Sequence, residues 1–106
     1  TVRDYLYIED LIEACTVVDR HEHDRRYRVY NVSAGMGHSV NQLITTAERV
    51  CGRTAEVRRQ LARSVDIKHV VLDSSALRRD TGWFPAVTLE DGLRRTWQWL
   101  LEQNTA

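Results

Sequence analysis

Apolar residues recur along this chain with two different spacings, and the points where the spacing changes divide it into elements. A dense charged and aromatic run, Arg3-Asp4-Tyr5-Leu6-Tyr7, predicts a strand over 3–7. Leu11, Ile12, Cys15 and Val18 then fall on one helical face, which predicts a helix over 8–19. Glu9 and Asp10 lie in its first turn, where negative charge suits the helix dipole. His21-Glu22-His23-Asp24-Arg25-Arg26 reads as a polar loop. Tyr27, Val29 and, after a phase change, Val32 mark a buried strand over 27–32, followed by a turn over 33–38 that carries Gly35 and Gly37.

The second half is more regular. Ser39, with Gln42 three residues on, has the form of a capping box. Val40, Leu43, Ile44, Ala47 and Val50 give the following helix its inward stripe, and Gly52 ends it. Short extended pieces are expected over 55–58 and 70–72, with a basic loop between them. A helix over 74–81 closes at Gly82. The last helix starts at Thr88, capped through Asp91, and reaches residue 102. Leu89, Leu93, Trp97 and Leu100 share one of its faces, while Trp99 turns away. The expected architecture is α+β: a small mixed domain of short strands and about four helices, occupying 1–106.

Composition narrows the function more than the fold. A chain of 106 residues, 42% hydrophobic and 28% charged, supports one modest core and is not a disordered tail. Fifteen basic residues balance fifteen acidic ones, so any attraction to phosphate must come from local placement. Lys68 is the sole lysine beside fourteen arginines. Arginine suits two-pronged contacts to phosphate or carboxylate, although most of these read as a compositional habit. Cys15 and Cys51 fall among apolar neighbours in expected helices and are read as reduced and packed, as in a cytoplasmic protein. No apolar run approaches membrane-spanning length, and no signal peptide is visible. Opening on Thr1 rather than Met, the chain reads as an internal cut.

Several residues could carry chemistry. Arg3 starts a strand, and Arg63 lies in a loop three residues before Asp66. An arginine aimed at a diphosphate makes charge-assisted hydrogen bonds worth about 1.5–3 kcal/mol each, and a nearby carboxylate can accept from a ribose diol. Spacing alone leaves these open against solvated surface charge. His21-x-His23 with Asp24 has metal-binding chemistry, but such a loop is normally just solvated, and no metal is expected. Gly35-x-Gly37 lacks the third glycine of a dinucleotide fingerprint, since position 40 is Val, so these glycines are read as freeing a tight turn. Trp83, ahead of Phe84-Pro85, reads as a core plug.

The order of motifs carries a resemblance. Arg3-Asp4-Tyr5-Leu6-Tyr7-Ile8-Glu9-Asp10 resembles the Arg-Asp-Tyr segment of extended short-chain dehydrogenase/reductases, the NAD-dependent nucleotide-sugar epimerases and dehydratases. Tyr30-Asn31-Val32-Ser33-Ala34-Gly35-Met36-Gly37-His38-Ser39-Val40 is similar to the family's glycine turn, with Ser33 where the pattern has Gly. Asp73-Ser74-Ser75-Ala76 through Gly82-Trp83-Phe84-Pro85 follows the next stretch, with Ala76 where many relatives have Lys and Leu77 where they have Ala. Thr88-Leu89-Glu90-Asp91-Gly92-Leu93 and Thr96-Trp97 match the closing helix.

By this resemblance the chain is the substrate-binding lobe that follows a Rossmann domain, with that domain absent here. It implies a nucleotide-diphosphate sugar as ligand and epimerisation at C4 of a UDP-hexose as the complete protein's reaction. A 4,6-dehydratase or 4-keto reductase is the alternative within the family. Arg3 and Arg63 would hold the diphosphate and Asp66 the ribose. NAD would serve the complete enzyme and not bind this chain. The family's Tyr-x-x-x-Lys pair is missing, because residue 64, four before Lys68, is Ser. The chain alone is therefore expected to be inactive, with no catalytic residue of its own. A rival reading takes Arg25, Arg26, Arg28, Arg58, Arg59, Arg78, Arg79, Arg94 and Arg95 as a binding face for nucleic acid or an acidic partner, which zero net charge argues against. If a cofactor domain packs here, an exposed apolar surface should remain, or be covered by self-association.

Overall fold

The structure, a computed structural model, describes residues 1–21, 28–61, 65 and 67–105. Its centre is β1 (Val2–Asp4), paired antiparallel with β2 (Gly37–Ser39) in the register Val2↔Ser39, Arg3↔His38 and Asp4↔Gly37. The other edge of β1 meets the 68–70 segment, with a parallel bridge between Val2 and His69. There the Val2 N–H donates to the Lys68 carbonyl at 2.7 Å and the Val70 N–H to the Val2 carbonyl at 3.0 Å. Gly37 makes this packing possible. A Cβ there would lie 2.7 Å from Val2 Cγ1 and 2.8 Å from Val71 Cγ2, so two valines close over a position that only hydrogen fits. Gly35, at φ 72°, supplies the turn before β2.

Four helices complete the α+β architecture among the described residues: α1 (Ile8–Arg20), α2 (Val40–Cys51), α3 (Ser75–Thr81) and α4 (Leu89–Thr105). The capping box at α2 forms in full, the Gln42 N–H donating to Ser39 Oγ at 3.1 Å and the Ser39 N–H to Gln42 Oε1 at 2.8 Å. Gly52 and Gly82 end α2 and α3 in the left-handed conformation. At α4 the Asp91 N–H donates to Thr88 Oγ1 at 3.2 Å, as its sequence signal suggests. Helices α2 and α4 pack against each other.

Several sequence expectations are corrected. The strand expected over 3–7 stops at Asp4. The described part of 27–32 and all of 55–58 form no strand. Side chains tether both pieces where a ladder was expected: Tyr30 OH donates to Asp80, and the Ala55 N–H donates to Glu48 Oε2. Residues 37–39, read as turn and cap, are a strand because β1 offers them an edge.

Finally, α1 turns a different face inward. Asp10 and Ala14 are buried and Val17 and Val18 half-buried, while Leu11, Ile12 and Cys15 are exposed. Ala14 is small enough to sit in the core with Trp83, and the Asp10 carboxylate finds backbone donors inside. Cys15 is therefore not packed, and Cys51 is half-buried; both are free thiols.

Ala14, Leu77 and Trp83 form a small core, joined by Leu6, Val17, Val18, Tyr30 and Val32. Trp83 is the expected plug, its indole N–H donating to the Asp10 carbonyl at 3.1 Å. Trp97, expected in the core, is only half-buried beneath Arg53, and Trp99 is exposed. The chain exposes 8626 Å², against about 6,100 Å² for a self-contained domain of this mass. Its radius of gyration is 16.8 Å, against about 13 Å. Ile8, Leu11 and Ile12, one stripe of α1, are among the exposed large apolar side chains. No helix among the described residues is long and apolar enough to cross a membrane.

Candidate substrate-binding site

Arg3 occupies the middle of the central strand, flanked by β2 on one side and the 68–70 segment on the other. It is half-buried, and its Nη1 donates to the Val2 carbonyl at 2.9 Å. No carboxylate among the described residues pairs with it. Arg63 and Asp66 lie outside the described residues, as do His23 and Asp24. Lys68, two residues beyond Asp66, is hydrogen-bonded to Val2, the neighbour of Arg3.

Two carboxylates of the opening motif hold the surroundings together, a role the sequence reading did not assign. Asp4 Oδ1 accepts from the Ala34 N–H at 2.8 Å, and Oδ2 from the Gly35 N–H at 2.9 Å and the Leu72 N–H at 3.4 Å. Asp10, 3% exposed, accepts from the N–H groups of Ala86 and Val87 at 3.2 and 3.0 Å. A carboxylate that receives several backbone donors holds those donors in place. The available sequence signal was an acid beside Arg3 at the head of an aromatic run.

Other charges are engaged with one another. Arg28 and the Tyr30 hydroxyl each meet Asp80 Oδ2 at 2.7 Å. The Arg28 hydrogen bond, then that of Tyr30, lowers the Asp80 carboxyl to about 2, and Arg28 is raised in return. Arg49 bonds Glu90 at 2.9 Å and holds its carboxyl below the ordinary value. Arg95 bridges Glu9 at 3.1 Å and Asp91 at 3.0 Å. These pairs occupy several arginines that a nucleic-acid face would need free.

A cleft of about 330 Å³ lies beside the ladder, lined by Tyr5, Met36, His38, Arg49, Pro85 and Glu90 among others. A second, of about 360 Å³, is lined by Gly35, Leu72, Ser74, Ser75, Arg78 and Pro85 among others. Arg3 lines neither. The space a Cβ would take at Gly37 is filled by the chain's own valines, so this glycine serves the packing of the ladder. No group of three or more His, Cys, Asp or Glu among the described residues could hold a metal ion.

In this ladder-and-helix arrangement, and in the order of its motifs, the chain is similar over nearly its whole length to the C-terminal part of extended short-chain dehydrogenase/reductase epimerases. Its relatives are UDP-glucose 4-epimerases and related epimerases. It is 31% identical over 99 residues to the UDP-glucose 4-epimerase of Haemophilus influenzae, covering 92% of this chain and 29% of that protein. The UDP-glucose 4-epimerase of Bifidobacterium longum, solved with NAD+ and UDP, superposes with a TM-score of 0.90 at 27% identity, over 97% of this chain and 31% of that one. The enzyme from Stenotrophomonas maltophila, solved with NAD and formylated UDP-arabinopyranose, gives 0.87 at 32% identity, over 99% and 32%. The chain thus spans under a third of the length of these relatives. No protein-family model matches it.

Proposed function

We propose that this chain binds the nucleotide-sugar substrate of an NAD-dependent epimerase acting at C4 of a UDP-hexose. Arg3 and Arg63 grip the diphosphate, and Asp66 accepts hydrogen bonds from the ribose. The observation that carries this reading is the superposition, at a TM-score of 0.90, on an epimerase solved with UDP. The position of Arg3 in the strand that holds the 68–70 segment supports it. Binding energy collected at the diphosphate orients the distant sugar, so these residues act on the reaction by positioning.

NAD supplies hydride chemistry, and it is held by residues outside this chain. The portion that holds it seats against the outer stripe of α1, Ile8, Leu11, Ile12 and Cys15. Ile8, Leu11 and Ile12 are exposed large apolar side chains, as such a seat requires. The test is proton NMR of the complete gene product mixed with UDP-glucose and NAD. Appearance of UDP-galactose supports the proposal. Loss of water to a 4-keto-6-deoxy sugar would instead identify a 4,6-dehydratase.

A further inference from the structure

Leu72 is held at both its backbone groups by side chains from elsewhere. Its N–H donates to Asp4 Oδ2 at 3.4 Å, and its carbonyl accepts from Ser33 Oγ at 3.0 Å. Ser33 is 3% exposed, and its own carbonyl accepts from Ser74 Oγ at 3.3 Å. Asp4 also grips the Ala34 and Gly35 N–H groups. Three separate stretches, β1, the glycine turn and the 72–74 segment, therefore meet in one closed polar network.

The network begins where the backbone ladder ends. The last backbone bond between β1 and the 68–70 segment is Val70 to Val2, and two residues further along each stretch Asp4 reaches Leu72 with its carboxylate. Arg3 lies between these two fastenings. The segment so fastened follows directly on Arg63 and Asp66 in sequence. A gain or loss of register there shifts Arg3 against whatever Arg63 holds, and small misplacements of binding groups are costly. Ser33 stands where the resembled pattern has Gly, a residue with no hydroxyl to reach the Leu72 carbonyl.

We propose that Asp4 and Ser33 are positioning residues for diphosphate recognition, a carboxylate–hydroxyl clasp that keeps the 67–72 segment in register with Arg3. The inference rests on the reading of Arg3 and Arg63 as diphosphate ligands. Its test is calorimetric titration of the complete gene product with UDP, for Ser33→Ala, Asp4→Asn, Arg3→Ala and the Ser33→Ala/Arg3→Ala pair. Losing one neutral hydrogen bond at the clasp should weaken UDP binding about threefold to tenfold in Ser33→Ala, and more in Asp4→Asn. In the Arg3→Ala background the Ser33→Ala effect should shrink below about twofold, because Ser33 acts through the alignment of Arg3. Steady-state kinetics should show kcat/KM for the nucleotide sugar lowered by a similar factor.

Additive losses in the double variant, or unchanged UDP affinity in Ser33→Ala, overturn the clasp even if Arg3→Ala alone weakens binding. Should Arg3→Ala leave UDP affinity untouched, the underlying reading falls and takes the clasp with it. Ser33→Ala removes one oxygen and keeps the backbone, so it serves even if Asp4→Asn fails to fold.

Discussion

Replacing Gly37 by alanine tests the ladder around which the site is built. The new Cβ would stand 2.7 Å from Val2 Cγ1 and 2.8 Å from Val71 Cγ2, when ordinary contact begins near 3.4 Å. Both approaches are short by roughly 0.6–0.7 Å, and both neighbours are β-branched, so neither methyl can swing away cheaply. Overpacking of this kind costs about 1–3 kcal/mol. With a typical urea dependence, that lowers the midpoint by about 0.5–1.5 M, read by tryptophan fluorescence on the complete gene product. Because the clash lies across β1, the KM for nucleotide sugar should rise as well. Trimming Val2 to alanine in the same molecule removes one of the two clashes and should recover part of the loss. A Gly37→Ala midpoint within experimental error of wild type, or no recovery in the double variant, would refute the packing argument.

Other consequences are checked more simply. Asp80 should titrate near 2 by carboxyl carbon-13 NMR, and Tyr30→Phe should move it back toward the ordinary carboxylate value. Because its folded pKa is depressed, the stability it contributes is present above about 4 and is lost as pH falls through about 2. Asp10→Ala removes the acceptor of the Ala86 and Val87 N–H groups and should destabilise by about 1–3 kcal/mol in all, measured by denaturation. Ser39→Ala removes the α2 cap and should cost about 1 kcal/mol. Cys15, exposed on the α1 stripe, should resist maleimide in the complete gene product until denaturant opens that face; rapid native labelling argues against a partner there.

What could be read from the sequence was local. The limits of α2, α3 and α4 were legible because caps and glycines mark them within a turn: Ser39 with Gln42, Gly52, Gly82 and Thr88. The strands were not, because each is three residues long and is set by a distant partner, as Val2 is by Ser39. The inward face of α1 was misjudged because it was read from the apolar stripe Leu11, Ile12, Cys15 and Val18, whereas donors from 86–87 bring Asp10 inside. For the proposed site, Arg3 was nominated through resemblance to a family motif, and the structure puts it in the central strand. The task of Asp4 was hidden, since its partners lie 30 to 68 residues away and are backbone groups without sequence identity.

The central claim concerns a diphosphate held jointly by Arg3 and Arg63, and isothermal titration of the complete gene product with UDP reaches it most directly. Each charge-assisted contact is worth about 1.5–3 kcal/mol, so Arg3→Ala and Arg63→Ala should each weaken UDP binding by about tenfold to a hundredfold. Affinity for uridine, which has no phosphate, should stay within about twofold. Equal affinity for UDP in wild type and both variants would contradict the account.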